Sequence, residues 1–210
     1  MHEKSVVVAR PQESDQLVLL FHGVGASAND LVPLGQALAP AWPRATLISV
    51  EAPHPSQLGR GSEWFSVVGI TEANRSQRIA EAMPLFLQTI SHWQELTGLG
   101  AQRTVLLGFS QGAIMALEST QSTLQPTAAA HTIIALSGRF AEPVRRAPPG
   151  VHFHLIHGEN DAVVMPRWSV EADTQLAVLG SPVTLDLVPG LGHGIDARVL
   201  QHVIRRLSSE

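Results

Sequence analysis

Gly108-Phe109-Ser110-Gln111-Gly112 carries the most chemistry of any stretch in this sequence. It fits the pattern Gly-x-Ser-x-Gly, in which two glycines let a chain turn tightly enough to lift a serine hydroxyl clear of its surroundings. An apolar run, Thr104 to Gly108, comes just before it, and a helical pattern through about Thr120 comes just after. A serine so placed sits at the start of a helix, where unpaired N–H groups and the positive end of the helix dipole favour a developing oxyanion. The chemistry this suits is acyl transfer. A serine hydroxyl is a poor nucleophile at neutral pH, so it needs a base, itself oriented by a carboxylate. The bland alternative is an ordinary strand–helix turn with a capping serine.

Both partners follow in the order the chemistry uses on a strand–helix scaffold: serine, acid, histidine. Asp161 lies just past the apolar run Val151–Ile156, in His157-Gly158-Glu159-Asn160-Asp161. His193 lies just past Val183–Val188, in Pro189-Gly190-Leu191-Gly192-His193-Gly194. Ser110 is thus read as nucleophile, His193 as base and Asp161 as the acid that orients it. Glu159 is the main rival acid. Asp186 sits mid-strand, and Asp196 begins a helix, where it reads as a cap. His152, His154 and His157 form His-x-His-x-x-His, which could suggest a metal site. No Asp or Glu lies between them, and strand geometry turns His157 away from the other two, so no metal is expected. His54, His92, His131 and His202 read as structural or surface histidines.

The glycine-rich stretch His22-Gly23-Val24-Gly25-Ala26-Ser27-Ala28 follows the buried run Leu17–Phe21 and admits two readings. Beside an activated serine, the backbone N–H of Val24 is one oxyanion donor and that of Gln111 is the other. Alternatively, Gly23-x-Gly25-x-x-Ala28 is a dinucleotide-binding turn, with Glu51 at the end of the next strand as the ribose-binding acid. The second reading leaves Ser110, Asp161 and His193 as coincidences, and a Pro-rich turn follows Glu51 directly.

Short apolar runs alternate with amphipathic ones along the whole chain. Strands are expected at Val6–Arg10, Leu17–Phe21, Thr46–Val50, Thr104–Gly108, Thr132–Leu136, Val151–Ile156 and Val183–Val188. Helices are expected from Asn29-Asp30 to about Ala39, at about Glu72–Leu96, from Gln111 to about Thr120, at Arg167–Leu179 and at about Asp196–Leu207. In the longest, Ile79, Met83, Phe86, Ile90 and Trp93 share one face, and Pro84 is expected to kink it. Residues 56–70 read as a loop. Continuous apolar strands alternating with helices predict a mostly parallel sheet covered on both faces. At 210 residues the chain suits one α/β domain, residues 1–210, with no insertion long enough for a large cap.

Composition closes other classes. There are no cysteines, which removes thiol nucleophiles, disulfides and Cys-based metal sites and is silent on redox compartment. Lys4 is the only lysine and lies in the N-terminal tail, which nearly closes a P-loop, a kinase fold and a lysine Schiff base. A net charge of −4 gives no footprint for nucleic acid. The N-terminal apolar run is too short for a signal peptide and no stretch is long enough for a membrane span. The expected location is the cytoplasm.

LVLLFHGVGAS, Trp64-Phe65, GFSQG, HGENDAVV and GLGHGID, taken as an ordered set from Leu17 to His193, resemble the carboxylesterase/phospholipase family of α/β hydrolases. The family includes acyl-protein-thioesterase-like enzymes and small bacterial esterases. The resemblance implies an α/β-hydrolase fold and the same roles for Ser110, Asp161, His193, Val24 and Gln111. It also implies that Trp64 and Phe65 lie near the acyl pocket, against the alternative of plain core packing. Where thioesterase members carry His-Gly-Leu-Gly-Asp, this chain has Gly25-Ala26-Ser27, a departure that counts against protein thioesters. The expected function is hydrolysis of short- to medium-chain acyl esters of small molecules through an acyl-enzyme, with no metal or organic cofactor. The alternatives are thioesterase or lysophospholipase activity on the same triad, or a non-catalytic binding protein of the same fold.

Overall fold

A computed structural model describes residues 4–125 and 127–207. Seven strands form one sheet: β1 (Val6–Ala9), β2 (Gln16–Phe21), β3 (Ala45–Val50), β6 (Thr104–Phe109), β7 (Thr132–Leu136), β8 (His152–Gly158) and β9 (Val183–Val188). Their spatial order is β1-β3-β2-β6-β7-β8-β9. Only β1 runs antiparallel, against β3; every other pair is parallel. Two further strands, β4 (His54–Pro55) and β5 (Ser62–Glu63), form a small antiparallel pair of their own.

Because side chains alternate across a strand, each apolar run supplies two layers at once. Leu17, Leu19, Phe21, Leu106, Ile133 and Phe153 face one layer, with α2 (Glu72–Thr97), α3 (Gln111–Ser119) and α4 (Arg167–Val178) packed over them. Val18, Leu20, Leu47, Val105, Leu107 and Ile134 face the other, covered by α1 (Val32–Leu38) and α5 (Ala197–Leu207). This is the expected architecture, an α/β-hydrolase sheet with helices on both faces.

Three local expectations change. The segment after the glycine-rich loop does not enter an α-helix at Asn29-Asp30. It forms a 3₁₀ turn over Ala28–Leu31 before α1, and Ser27 stands at its start. There the Asp30 carboxylate accepts from both the Ser27 N–H (2.8 Å) and the Ser27 hydroxyl (2.7 Å). Residues 56–70 include β5, which β4 pairs from across the turn. Finally, β8 runs two residues past Ile156, since His157 and Gly158 pair with Leu187 and Val188. Pro84 lies inside α2, and the helix continues on both sides of it.

Candidate active site

The turn between β6 and α3 is as tight as its glycines allow. A Cβ on Gly112 would stand 2.2 Å from the Phe21 carbonyl oxygen, and one on Gly108 would stand 2.4 Å from the Ala113 nitrogen. The helix start therefore presses directly onto β2 and β6. Between the two glycines Ser110 adopts φ 53°, ψ −116°, a conformation few non-glycine residues accept. Its N–H donates to the Leu136 carbonyl of β7 (2.9 Å), which fixes the turn at the carboxyl edge of the sheet.

At that edge the loops after β8 and β9 bring the predicted partners to the serine. His193 Nδ1 lies 2.7 Å from Asp161 Oδ2, and His193 Nε2 lies 2.9 Å from Ser110 Oγ. A carboxylate only accepts, so Nδ1 carries the proton and Nε2 is left to accept from the serine hydroxyl. The Phe109 ring lies 5.0 Å from the imidazole and helps fix its plane.

Asp161 is 2% exposed. Its Oδ1 accepts from the Val163 and Val164 N–H groups, both at 2.9 Å, while Oδ2 faces His193. Burial opposes ionisation, but the hydrogen bonds from His193, Val164 and Val163 outweigh it and hold the carboxyl below its ordinary range. Glu159 is exposed. Asp186 is taken by a two-pronged bond with Arg206, both prongs at 2.8 Å, and Asp196 caps the last helix through the Arg198 and Val199 N–H groups. Of the His-x-His-x-x-His residues, His154 meets the Thr184 hydroxyl, whereas His157 lies against Ser169, Val164 and Asp161.

The glycine-rich loop lies against the serine turn. A Cβ on Gly23 would come within 3.2 Å of Ser110 Cβ, which puts Val24 next to that contact. Gln111 is the first residue of α3, so its N–H has no acceptor within the helix. The loop is zipped to residues 58–62: Gly25 N–H donates to Ser62 O (3.0 Å), Gly61 N–H to Gly25 O (3.2 Å) and Ser62 N–H to Ala26 O (2.7 Å). Gly25 has φ +78°, and a Cβ there would stand 2.1 Å from the Leu58 carbonyl oxygen. Two side chains complete the brace. His22 Nε2 accepts from the Ala52 N–H (3.2 Å). Glu51 accepts from the Ala28 N–H (2.6 Å) and the Ser62 hydroxyl (2.8 Å). Both carboxylate oxygens of Glu51 are thus engaged in holding the loop, the role opposite to binding a ribose.

Trp64 and Phe65 are buried. The Trp64 indole packs edge-on against Phe21 and Phe86, at 5.8 and 4.8 Å between ring centres, as part of the core. The pair also borders a hollow of about 450 Å³ with His54, Arg78 and Glu81, and Ser110 does not line it. Their link to the serine runs through the backbone. The buried Gln111 amide accepts from the Trp64 N–H (2.8 Å) and donates to the Phe65 carbonyl (2.7 Å). That side-chain role had no sequence signal, because it joins residues 46 and 47 positions apart.

The chain matches the phospholipase/carboxylesterase family over residues 2–209. It belongs to that family of α/β hydrolases. It is 42% identical to Escherichia coli esterase YpfH over 206 residues, 98% of this chain and 88% of the relative. The crystal structure of esterase PE8 superposes with a TM-score of 0.86 at 30% identity, covering 98% of this chain and 96% of that one. Zea mays acyl-protein thioesterase 2 shares the fold, with a TM-score of 0.76 at 21% identity over 98% and 97% of the two chains. The family membership makes this chain a serine hydrolase acting on carboxylic esters. Among the described residues no helix is long and apolar enough to cross a membrane.

Proposed function

We propose that this phospholipase/carboxylesterase family member hydrolyses small acyl esters through an acyl-enzyme on Ser110, within one domain spanning the chain and in the cytoplasm. The observation that carries the reading is the continuous line from Ser110 Oγ through His193 to Asp161, with links of 2.9 and 2.7 Å. Ser110 Oγ attacks the ester carbonyl as its proton passes to His193 Nε2. Asp161, held ionised, stabilises the resulting imidazolium. The Val24 and Gln111 N–H groups receive the oxyanion. His193 then returns the proton to the departing alkoxide, and the C–O bond breaks. Water, deprotonated by His193, attacks the acyl-enzyme, and collapse of the second tetrahedral intermediate frees the acid and restores Ser110. No cofactor enters the scheme.

The preferred acyl group is short to medium in length. Thioesters would pass through the same steps with a thiolate leaving, and a panel of esters and acyl thioesters of graded chain length separates the two. The mechanistic test is residue-specific. A fluorophosphonate should add its mass at Ser110, and Ser110→Ala should lower kcat by about 10⁶. Labelling at another serine, or turnover surviving in the variant, would sink the assignment.

A further inference from the structure

His157 stands beside the triad with every polar atom engaged. Its Nδ1 lies 2.7 Å from the Ser169 hydroxyl on α4. Its Nε2 lies 2.7 Å from the Val164 carbonyl and 3.2 Å from Asp161 Oδ2. Val164 O and Asp161 only accept, so Nε2 carries the proton and Nδ1 accepts from Ser169. That N–H donates to the Val164 carbonyl, and Asp161 Oδ2 lies at 3.2 Å from the same nitrogen, close enough for charge–dipole attraction. The Val164 N–H in turn donates to Asp161 Oδ1 at 2.9 Å. His157 therefore reaches both oxygens of the acid, Oδ2 through space and Oδ1 through the Val164 backbone, whose carbonyl it holds and whose N–H donates to the acid. The His157 side chain is fully buried, and the ionisable groups facing it are Asp161 and His193.

From this geometry we propose that His157 is a positioning residue for the reaction. It holds the Asp161 carboxylate and the 161–164 turn in the orientation that receives the His193 N–H. The proposal rests on Asp161 acting as the orienting acid. Burial, first, and the neighbouring His193 keep the His157 imidazole neutral, although Val164 and Asp161 favour its charge. A neutral imidazole whose N–H is held by Val164 lies against Asp161 without removing the negative charge that His193 needs.

The roles can be separated experimentally. In the wild-type protein, ¹⁵N spectra of the histidines should show His157 as the neutral Nε2–H tautomer from pH 6 to 8; the Nδ1–H tautomer or a titrating His157 would overturn the proposal. His157→Leu should lower kcat about ten- to a hundredfold, the range found when a hydrogen-bonding partner that orients a metal-binding side chain is removed. It should also move the acid limb of the kcat/KM profile to higher pH, because an Asp161 without the adjacent N–H dipole holds the proton on His193 more tightly. His157→Gln places an amide N–H near the Nε2 position and should restore both quantities. Ser169→Ala, a small change that leaves the imidazole in place but releases its tautomer, should move the limb in the same direction by less, and decides the matter if His157→Leu does not fold. A pH profile unchanged in the folded variants, with Ser110 still the labelled serine, would refute the role of His157 and leave the triad standing. Loss of labelling at Ser110 in the wild type would instead remove the triad itself.

Discussion

Asp161 and Glu159 stand two residues apart, and their surroundings separate them. Asp161 is buried, accepts two backbone N–H groups and faces His193, whereas Glu159 is exposed. Asp161→Asn should lower kcat by up to about 10⁴, because an amide can present its N–H to His193 and favour the wrong tautomer. Glu159→Gln should leave kcat within a factor of about two of wild type, the range of surface changes away from a site. Equal losses in the two variants would reverse the choice. The glycine-rich loop gives a second contrast. Val24→Ala changes no backbone donor and should be nearly silent in kcat. Gly25→Val must escape both a positive φ and the Leu58 carbonyl, swinging the loop away, and should lower kcat by about 10²–10³, as the loss of one oxyanion donor does. Saturable NAD(H) binding that vanishes in Gly25→Val while ester turnover persists would reinstate the dinucleotide reading. At this scale the proximity of Ser110, Asp161 and His193 was legible because each follows an apolar run in a short polar or glycine-rich turn. The Gln111 and Glu51 side chains were not, since their partners come from distant parts of the chain and only the fold brings them close.

Among the secondary-structure elements, the strands were legible because a parallel sheet covered on both faces needs continuous apolar runs. The sequence could not show β4 and β5, two residues each, which exist only through pairing across a turn. Nor could it show the last two residues of β8, where a histidine and a glycine join a ladder on the strength of β9. Trp64 shows the same limit: its sequence position marks the segment near the serine, but its ring belongs to the core formed with β2 and α2. One element-level cost is open to measurement. Glu118 on α3 is 8% exposed, accepts the Ala141 N–H at 2.7 Å and borders a hollow of about 530 Å³. Burial raises its pKa above the ordinary value, against the Ala141 bond and Arg145. The folded chain thus binds this proton more tightly than the unfolded one. Stability from this group is complete below the unfolded value near about 4.3 and is lost as pH climbs through the raised value. Glu118→Gln keeps an oxygen for Ala141 without the charge. Its melting temperature should match wild type near pH 4 and exceed it at pH 8. A difference that does not grow with pH would contradict this account.

Across the whole molecule, Asp161 and Asp186 act in the opposite sense to Glu118. Burial works against both carboxylates. His193, Val164 and Val163 for the one, and Arg206 and His202 for the other, nevertheless hold their pKa values down. Their contribution is full above the unfolded carboxylate value near about 3.9 and is lost as acid carries the pH below it. Acid thus removes both the charge facing His193 and the tie between β9 and α5, each below the ordinary carboxylate range. A different consequence follows from the backbone of Ser110, held at φ 53°. Such a conformation costs roughly 1–3 kcal/mol in a residue with a side chain, and glycine escapes it at an entropic cost of about 0.4–1 kcal/mol in the unfolded chain. Ser110→Gly and Ser110→Ala are both expected to be inactive, yet the glycine variant should melt roughly 2–4 °C above the alanine variant; equal melting would mean the turn is relaxed. Screening for heat resistance alone would therefore favour loss of the proposed nucleophile at this position, and a stabilisation campaign on this protein has to select for turnover alongside it.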